Sequence, residues 1–114
     1  MWRATINSWR GLLAAAQSEA AFREELVALA LAIPLSLIVA TEPWKRFALI
    51  GVILLLIVVE LLNTAIEKLS DHVTATHHPD IGRIKDMSSA AVGVALAIAG
   101  LTWLAAIAEW LGLF

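Results

Sequence analysis

Glu60 and Asn63 interrupt the apolar run from Phe47 to Ile66, and with Glu67 and Asp71 beyond its end they stand at positions i, i+3, i+7 and i+11. About 100° of turn per helical residue puts all four within roughly an 80° sector, as one polar stripe. A carboxylate at the centre of a membrane helix costs about 2.5 to 3.5 kcal/mol on insertion scales, so Glu60 is held against a penalty and reads first as functional. The structural alternative is a Glu paired with a helix neighbour or reaching for the surface. Asn63 on its own equally suits an interhelical hydrogen bond.

Phosphoryl transfer is the chemistry these residue types best fit. A magnesium ion takes oxygen ligands, commonly one or two protein carboxylates plus substrate phosphates. Transfer also needs a cation on the phosphates and a base for the attacking hydroxyl. Glu19 and Glu67 suit the metal, Lys85 the phosphates, and Glu60, the deepest of the carboxylates, the proton. Neither GxxxxGK[ST] nor a protein-kinase catalytic loop is present, so a nucleotide site here must be unconventional. His72, His77 and His78 lie in a polar stretch without a spaced partner and read as solvated rather than as a metal site.

The elements that position these groups are set by the bilayer. With 61% apolar residues and a mean hydropathy of +0.84 over 114 residues, the chain lies outside the range of soluble domains and has room for one domain. A net charge of −2 with dispersed basic residues excludes a nucleic-acid grip, and the absence of cysteine excludes disulfides and thiolate metal sites. Trp2, Ile6, Trp9, Leu13 and Ala16 recur at steps of three and four, which predicts an amphipathic helix within 1–25, lying in the headgroup plane. Its mixed charge is unlike a secretory signal. Spans are predicted at 26–42, 47–70 and 86–110, with Pro34 a kink in the first and Pro79 and Gly82 as breakers in a loop over 71–85. Small residues at Ala91, Ala95, Ala99 and Gly100 permit close packing of the third span. The positive-inside rule puts Arg3, Arg10, Arg23, Lys68, Arg83 and Lys85 in the cytoplasm, opposite Lys45 and Arg46, so the N-terminus is expected to be cytoplasmic. The expected fold is an all-α membrane protein, one surface helix plus three transmembrane helices.

Three stretches are similar to the small prokaryotic diacylglycerol kinases of the bacterial inner membrane: Glu19-Ala20-Ala21-Phe22-Arg23-Glu24-Glu25, Val59 to Glu67, and Gly82 to Ala91. The middle motif, Glu-x-x-Asn-x-x-x-Glu inside a span, is the most specific. The resemblance implies a homotrimer with active sites shared between subunits, which transfers the terminal phosphate of MgATP to diacylglycerol and yields phosphatidic acid. It implies Glu60 as catalytic base and Glu19 and Glu67 as metal-binding carboxylates that also approach ATP. Lys85, Asp86 and His78 match nucleotide positions. Ser8, Trp9, Phe22, Arg23, Glu25 and Ser89, with Glu60, match positions that hold the lipid, and Asn63 and Asp71 match supporting polar positions. The nearest alternative within the superfamily is an undecaprenol kinase, and from another class a noncatalytic membrane subunit or an ion-conducting assembly.

Overall fold

A computed structural model describes residues 2–74 and 78–114; His77, in the expected polar loop, lies outside the described residues. Among the described residues the chain forms four helices, α1 (Trp2–Ser18), α2 (Ala20–Val39), α3 (Pro43–Val73) and α4 (Pro79–Trp110). Helix α3 is the central element and packs against both α2 and α4, while α1 folds back over the junction of α2 and α3.

Each corner has a local cause. Glu19 alone leaves helical geometry between α1 and α2, with an extended backbone at φ −116° and ψ 111°. The Arg23 guanidinium closes this corner by donating to the carbonyls of Ala16 at 2.9 Å and Gln17 at 3.3 Å, groups left without partners where α1 ends. At the next corner Arg46 does the same for α2, donating to the carbonyls of Ala40 and Leu37. Pro43 then opens α3 at a position where a missing N–H costs nothing. At the far end of α4, Gly112 adopts φ +77°, and the N–H groups of Gly112 and Leu113 return to the carbonyls of Glu109 and Ala108. A left-handed residue is required to make that double closure, which is why glycine stands there.

Two helix boundaries differ from the sequence-based expectation. Residues 20–25 belong to α2, continuous with the apolar segment that follows, rather than to the amphipathic first helix. Residues 71–73 and 79–85 of the expected loop are helical. Pro79, expected as a breaker, instead starts α4, and His78 caps it by accepting the Asp80 N–H at Nδ1, 3.2 Å away. Gly82 sits inside the first turn of α4, where the helix absorbs a cost of about 1 kcal/mol relative to alanine. Pro34 is likewise carried inside α2, which runs unbroken to Val39.

The core is thin and has small residues at its contacts. Phe22, only 2% exposed, joins Ala15 of α1 to Ile57 of α3, with Leu29, Ile53 and Leu61 around it. Helix α4 meets α3 through Ser88, Ala95 and Ala99, whose short side chains let the two backbones approach. Trp103 fixes their register by donating from its indole N–H to the Leu49 carbonyl at 3.1 Å. Helices α3 and α4 are long and apolar enough to cross a membrane, and most of their apolar surface is uncovered, as at Val58, Leu62, Val94, Leu101 and Leu104. Bare apolar faces of this extent need lipid or another protein against them.

Candidate active site

The acidic stripe of α3 turns toward the end of the bundle where α1 meets α2 and α4 begins. Glu60 and Asn63 are buried, at 8% and 9% exposure, whereas Glu67 and Asp71, one and two turns further on, are exposed. Asn63 is the pivot of the stripe. Its Oδ1 accepts the Ser88 hydroxyl of α4 at 2.7 Å, and its Nδ2 faces Glu67 Oε1 at 3.4 Å. The amide therefore makes an interhelical bond and orients a carboxylate together. Thr64 stands one turn beyond Glu60 on the same side of α3.

Other carboxylates lie near enough to act on Glu60 through their charge. Glu19, at the α1–α2 corner, and Glu67 both act on Glu60 through like-charge repulsion. Glu25, at the start of α2, has one carboxylate oxygen shut off from solvent with no hydrogen-bond partner among the described residues. That burial, helped by repulsion from Glu60 and Glu24, pushes its pKa up to about 7. The cations nearby are committed elsewhere. Lys85 pairs with Asp71 at 2.5 Å, joining the start of α4 to the end of α3, and Lys68 pairs with Glu19 at 3.4 Å. Glu60 and Glu25 therefore repel one another between two helices, with no basic residue paired to either among the described residues.

Such a set suits a hard divalent cation by its chemistry, since the donors are carboxylate oxygens with no thiolate. Among the described residues no three His, Cys, Asp or Glu side chains converge on a single ion. The remaining ligands would have to come from elsewhere, which is how magnesium is held when it arrives with nucleotide phosphates.

A cavity of about 480 Å³ opens between α1 and α3 beside this cluster, lined by Ser8, Gly11, Leu12, Leu61, Thr64 and Lys68. It is largely apolar, with polar groups at Ser8, Thr64 and Lys68. Thr64, one helical turn from Glu60, brings the cavity wall next to the acidic stripe. A second cavity of about 340 Å³ lies at the other end of α3 and α4, around Trp44, Lys45 and Glu109, and none of the sequence-predicted site residues lines it.

The remaining sequence-predicted residues divide by position. Trp9 is 63% exposed on α1, and Asp86 and Ser89 are exposed on the first turns of α4. Phe22 is a core residue and Arg23 closes the α1–α2 corner, so both contribute here by shaping the fold around the cavity. His78 has its Nδ1 engaged as the α4 cap. Sequence reasoning did not single out Ser88, Thr64 or Lys68 as site residues. Ser88 and Thr64 were legible in hindsight as the polar partners nearest an intramembrane Asn and Glu. Lys68 was not, because it lies about 100° around the helix from Glu67 and its role depends on where α1 ends.

Residues 6–107 match the family model described as prokaryotic diacylglycerol kinase, a stretch that includes every candidate residue from Ser8 to Ser89. The chain is similar to the protein named diacylglycerol kinase of Escherichia coli (strain K12), with 44% identity over 101 residues, 89% of this chain and 83% of that one. The protein of the same name from Pseudomonas aeruginosa is 42% identical over 100 residues, 88% of this chain and 81% of its own length. That of Helicobacter pylori is 34% identical over 103 residues, 90% of this chain and 80% of its own length.

Proposed function

This chain belongs to the prokaryotic diacylglycerol kinase family, and from that premise we propose that it phosphorylates diacylglycerol with ATP at the end of the bundle where Glu19, Glu25, Glu60 and Glu67 converge. The observation that carries the reading is that convergence. Carboxylates from two helices and the corner before them act on Glu60 or are acted on by it there, and among the described residues neither Glu60 nor Glu25 has a cationic partner. Like charges gathered at this cost fit a site that takes up a metal ion and a proton in its working cycle.

In this reading the diacylglycerol hydroxyl approaches from the membrane through the cavity between α1 and α3. Ser8, Trp9, Glu25 and Ser89 hold the lipid, and Phe22 and Arg23 keep the corner that shapes its seat. Glu60 accepts the hydroxyl proton as the lipid oxygen bonds to the γ-phosphorus of ATP. The bond from that phosphorus to the β–γ bridging oxygen breaks, leaving ADP and phosphatidic acid. Glu19 and Glu67 would hold magnesium, which when bound offsets phosphate charge. Lys85, Asp86 and His78 meet the nucleotide, with Asp71 holding Lys85 at the site and Asn63 orienting Glu67.

The proposed placement in the membrane follows from helix length. Taking Trp44 as the outer interface, Glu60 lies roughly 24 Å along α3, Glu67 roughly 35 Å and Asp71 roughly 40 Å, against a hydrocarbon core of about 30 Å. Glu60 then sits just inside the cytoplasmic boundary and the other two in water, so a lipid alcohol and a soluble nucleotide meet between them. The account has three spans, near 26–42, 47–70 and 86–110, and α1 on the cytoplasmic surface of the bacterial inner membrane. Three copies assemble and share their sites, which gives the uncovered apolar faces a protein surface to meet.

Purified protein with Glu60→Gln tests the base. It should bind MgATP as the parent does while phosphorylation of diacylglycerol falls by about 10²-fold or more. Full retained activity would refute the role of Glu60.

A further inference from the structure

Each of the two proposed metal ligands is oriented by a neighbour, but the neighbours differ in charge. Glu67 faces the neutral amide of Asn63, whereas Glu19 is held by a lysine. Lys68 follows Glu67 directly on α3, and its side chain leaves the acidic stripe for the α1–α2 corner. There Nζ lies 3.4 Å from Glu19 Oε1 and donates to the Ser18 hydroxyl at 3.3 Å, and that hydroxyl is itself 3.3 Å from the same carboxylate oxygen. Lys68 also lines the cavity between α1 and α3. It is therefore the one contact among the described residues that ties the charge of Glu19 to the helix carrying Glu60 and Glu67.

We propose that Lys68 is a positioning residue that stands in for the divalent cation, holding Glu19 toward α3 in the resting protein and releasing it when metal and nucleotide bind. The inference rests on the reading of Glu19 and Glu67 as metal ligands. Its physical basis is a matching of strengths. The lysine side chain is 57% exposed and that of Glu19 28%, so the pair is half in water and readily exchanged. A pair of this kind shifts an equilibrium by about 1.5-fold to 5-fold, enough to orient a carboxylate and far too little to exclude a dication carrying phosphate. Without the lysine, Glu19 at the corner would be left to its repulsion by Glu60. Because Lys68 and the metal compete for one carboxylate, a cation at this position lowers metal affinity while it keeps the ligand in place.

The test uses whole protein in micelles with Mn²⁺ and a non-hydrolysable ATP analogue, bound Mn²⁺ being read by electron paramagnetic resonance. The parent is compared with Lys68→Ala, Lys68→Arg and Glu19→Gln. Lys68→Ala should bind Mn²⁺ about 1.5-fold to 5-fold more tightly and Lys68→Arg should stay near the parent. In EDTA, Lys68→Ala should melt at a lower temperature than the parent, and saturating Mn²⁺ with the analogue should close that gap. Weakened or unchanged Mn²⁺ binding in Lys68→Ala, while Glu19→Gln weakens it strongly, overturns the stand-in role and leaves Glu19 as a ligand. If Glu19→Gln leaves Mn²⁺ binding untouched, the ligand reading fails and the role of Lys68 fails with it.

Discussion

Glu25 shows how the fold sets the behaviour of a single residue. One of its carboxylate oxygens is closed off without a hydrogen-bond partner, and Glu60 and Glu24 add their repulsion, so the group holds its proton up to about pH 7 rather than 4.5. Between those two values the folded chain binds more protons at this site than the unfolded chain does, so stability falls as pH rises from 4.5 toward 7 and is level above that. Glu25→Gln keeps the shape and removes the charge. The variant should match the parent near pH 4.5 and be the more stable of the two at pH 8, as measured by unfolding in micelles across that range. A parent and variant that lose stability in parallel would show that Glu25 is not the group responsible. Lys68 belongs to the same scale, since one side chain decides how the Glu19 carboxylate is held before any ligand arrives.

Among the elements, α3 and α4 are joined by a buried polar bond in the middle of small-residue packing. Ser88→Ala removes the donor to Asn63 Oδ1 and leaves that oxygen buried. The expected loss is about 0.5 to 1.5 kcal/mol of stability in micelles, together with reduced kinase activity, because Asn63 also orients Glu67. Unchanged stability and activity in Ser88→Ala would contradict the role given to Asn63. The first helix and the acidic stripe were legible from spacing, and the long helices from the length of their apolar runs. Glu60, Asn63, Glu67 and Asp71 share a face whatever surrounds them, since that depends only on the helical repeat. The corners were less legible. Pro79 and Gly82 predict a break by their residue types, but proline is also favoured at the first position of a helix, and His78 supplies the cap that makes Pro79 a start. The α1–α2 boundary at Glu19 carries no Gly or Pro signal, and its definition comes from Arg23 reaching back to Ala16 and Gln17. Phe22 and Arg23 resemble lipid-holding positions, yet their fold roles emerge only when α1 lies against α3.

On the scale of the whole molecule, a thin core and broad bare surfaces fit a protein that relies on its surroundings. Among the described residues the buried apolar side chains are few and small beyond Phe22, Leu49, Leu56 and Ile57, while Leu31, Leu37, Ile38, Val58, Val94 and Leu101 are open on all three long helices. In the proposed trimer, lipid covers part of this surface and two further copies cover the rest, leaving one wet end with carboxylates and one dry approach for a lipid alcohol. The central claim is that this end of the bundle moves phosphate from a soluble nucleotide to a membrane lipid. Radiolabel transfer from [γ-³²P]ATP by pure protein in mixed micelles tests it most directly, with diacylglycerol and undecaprenol offered in parallel. The account predicts magnesium-dependent label in phosphatidic acid well above that in the polyprenyl product. Label confined to undecaprenol, or no label in either lipid from folded protein, would contradict it.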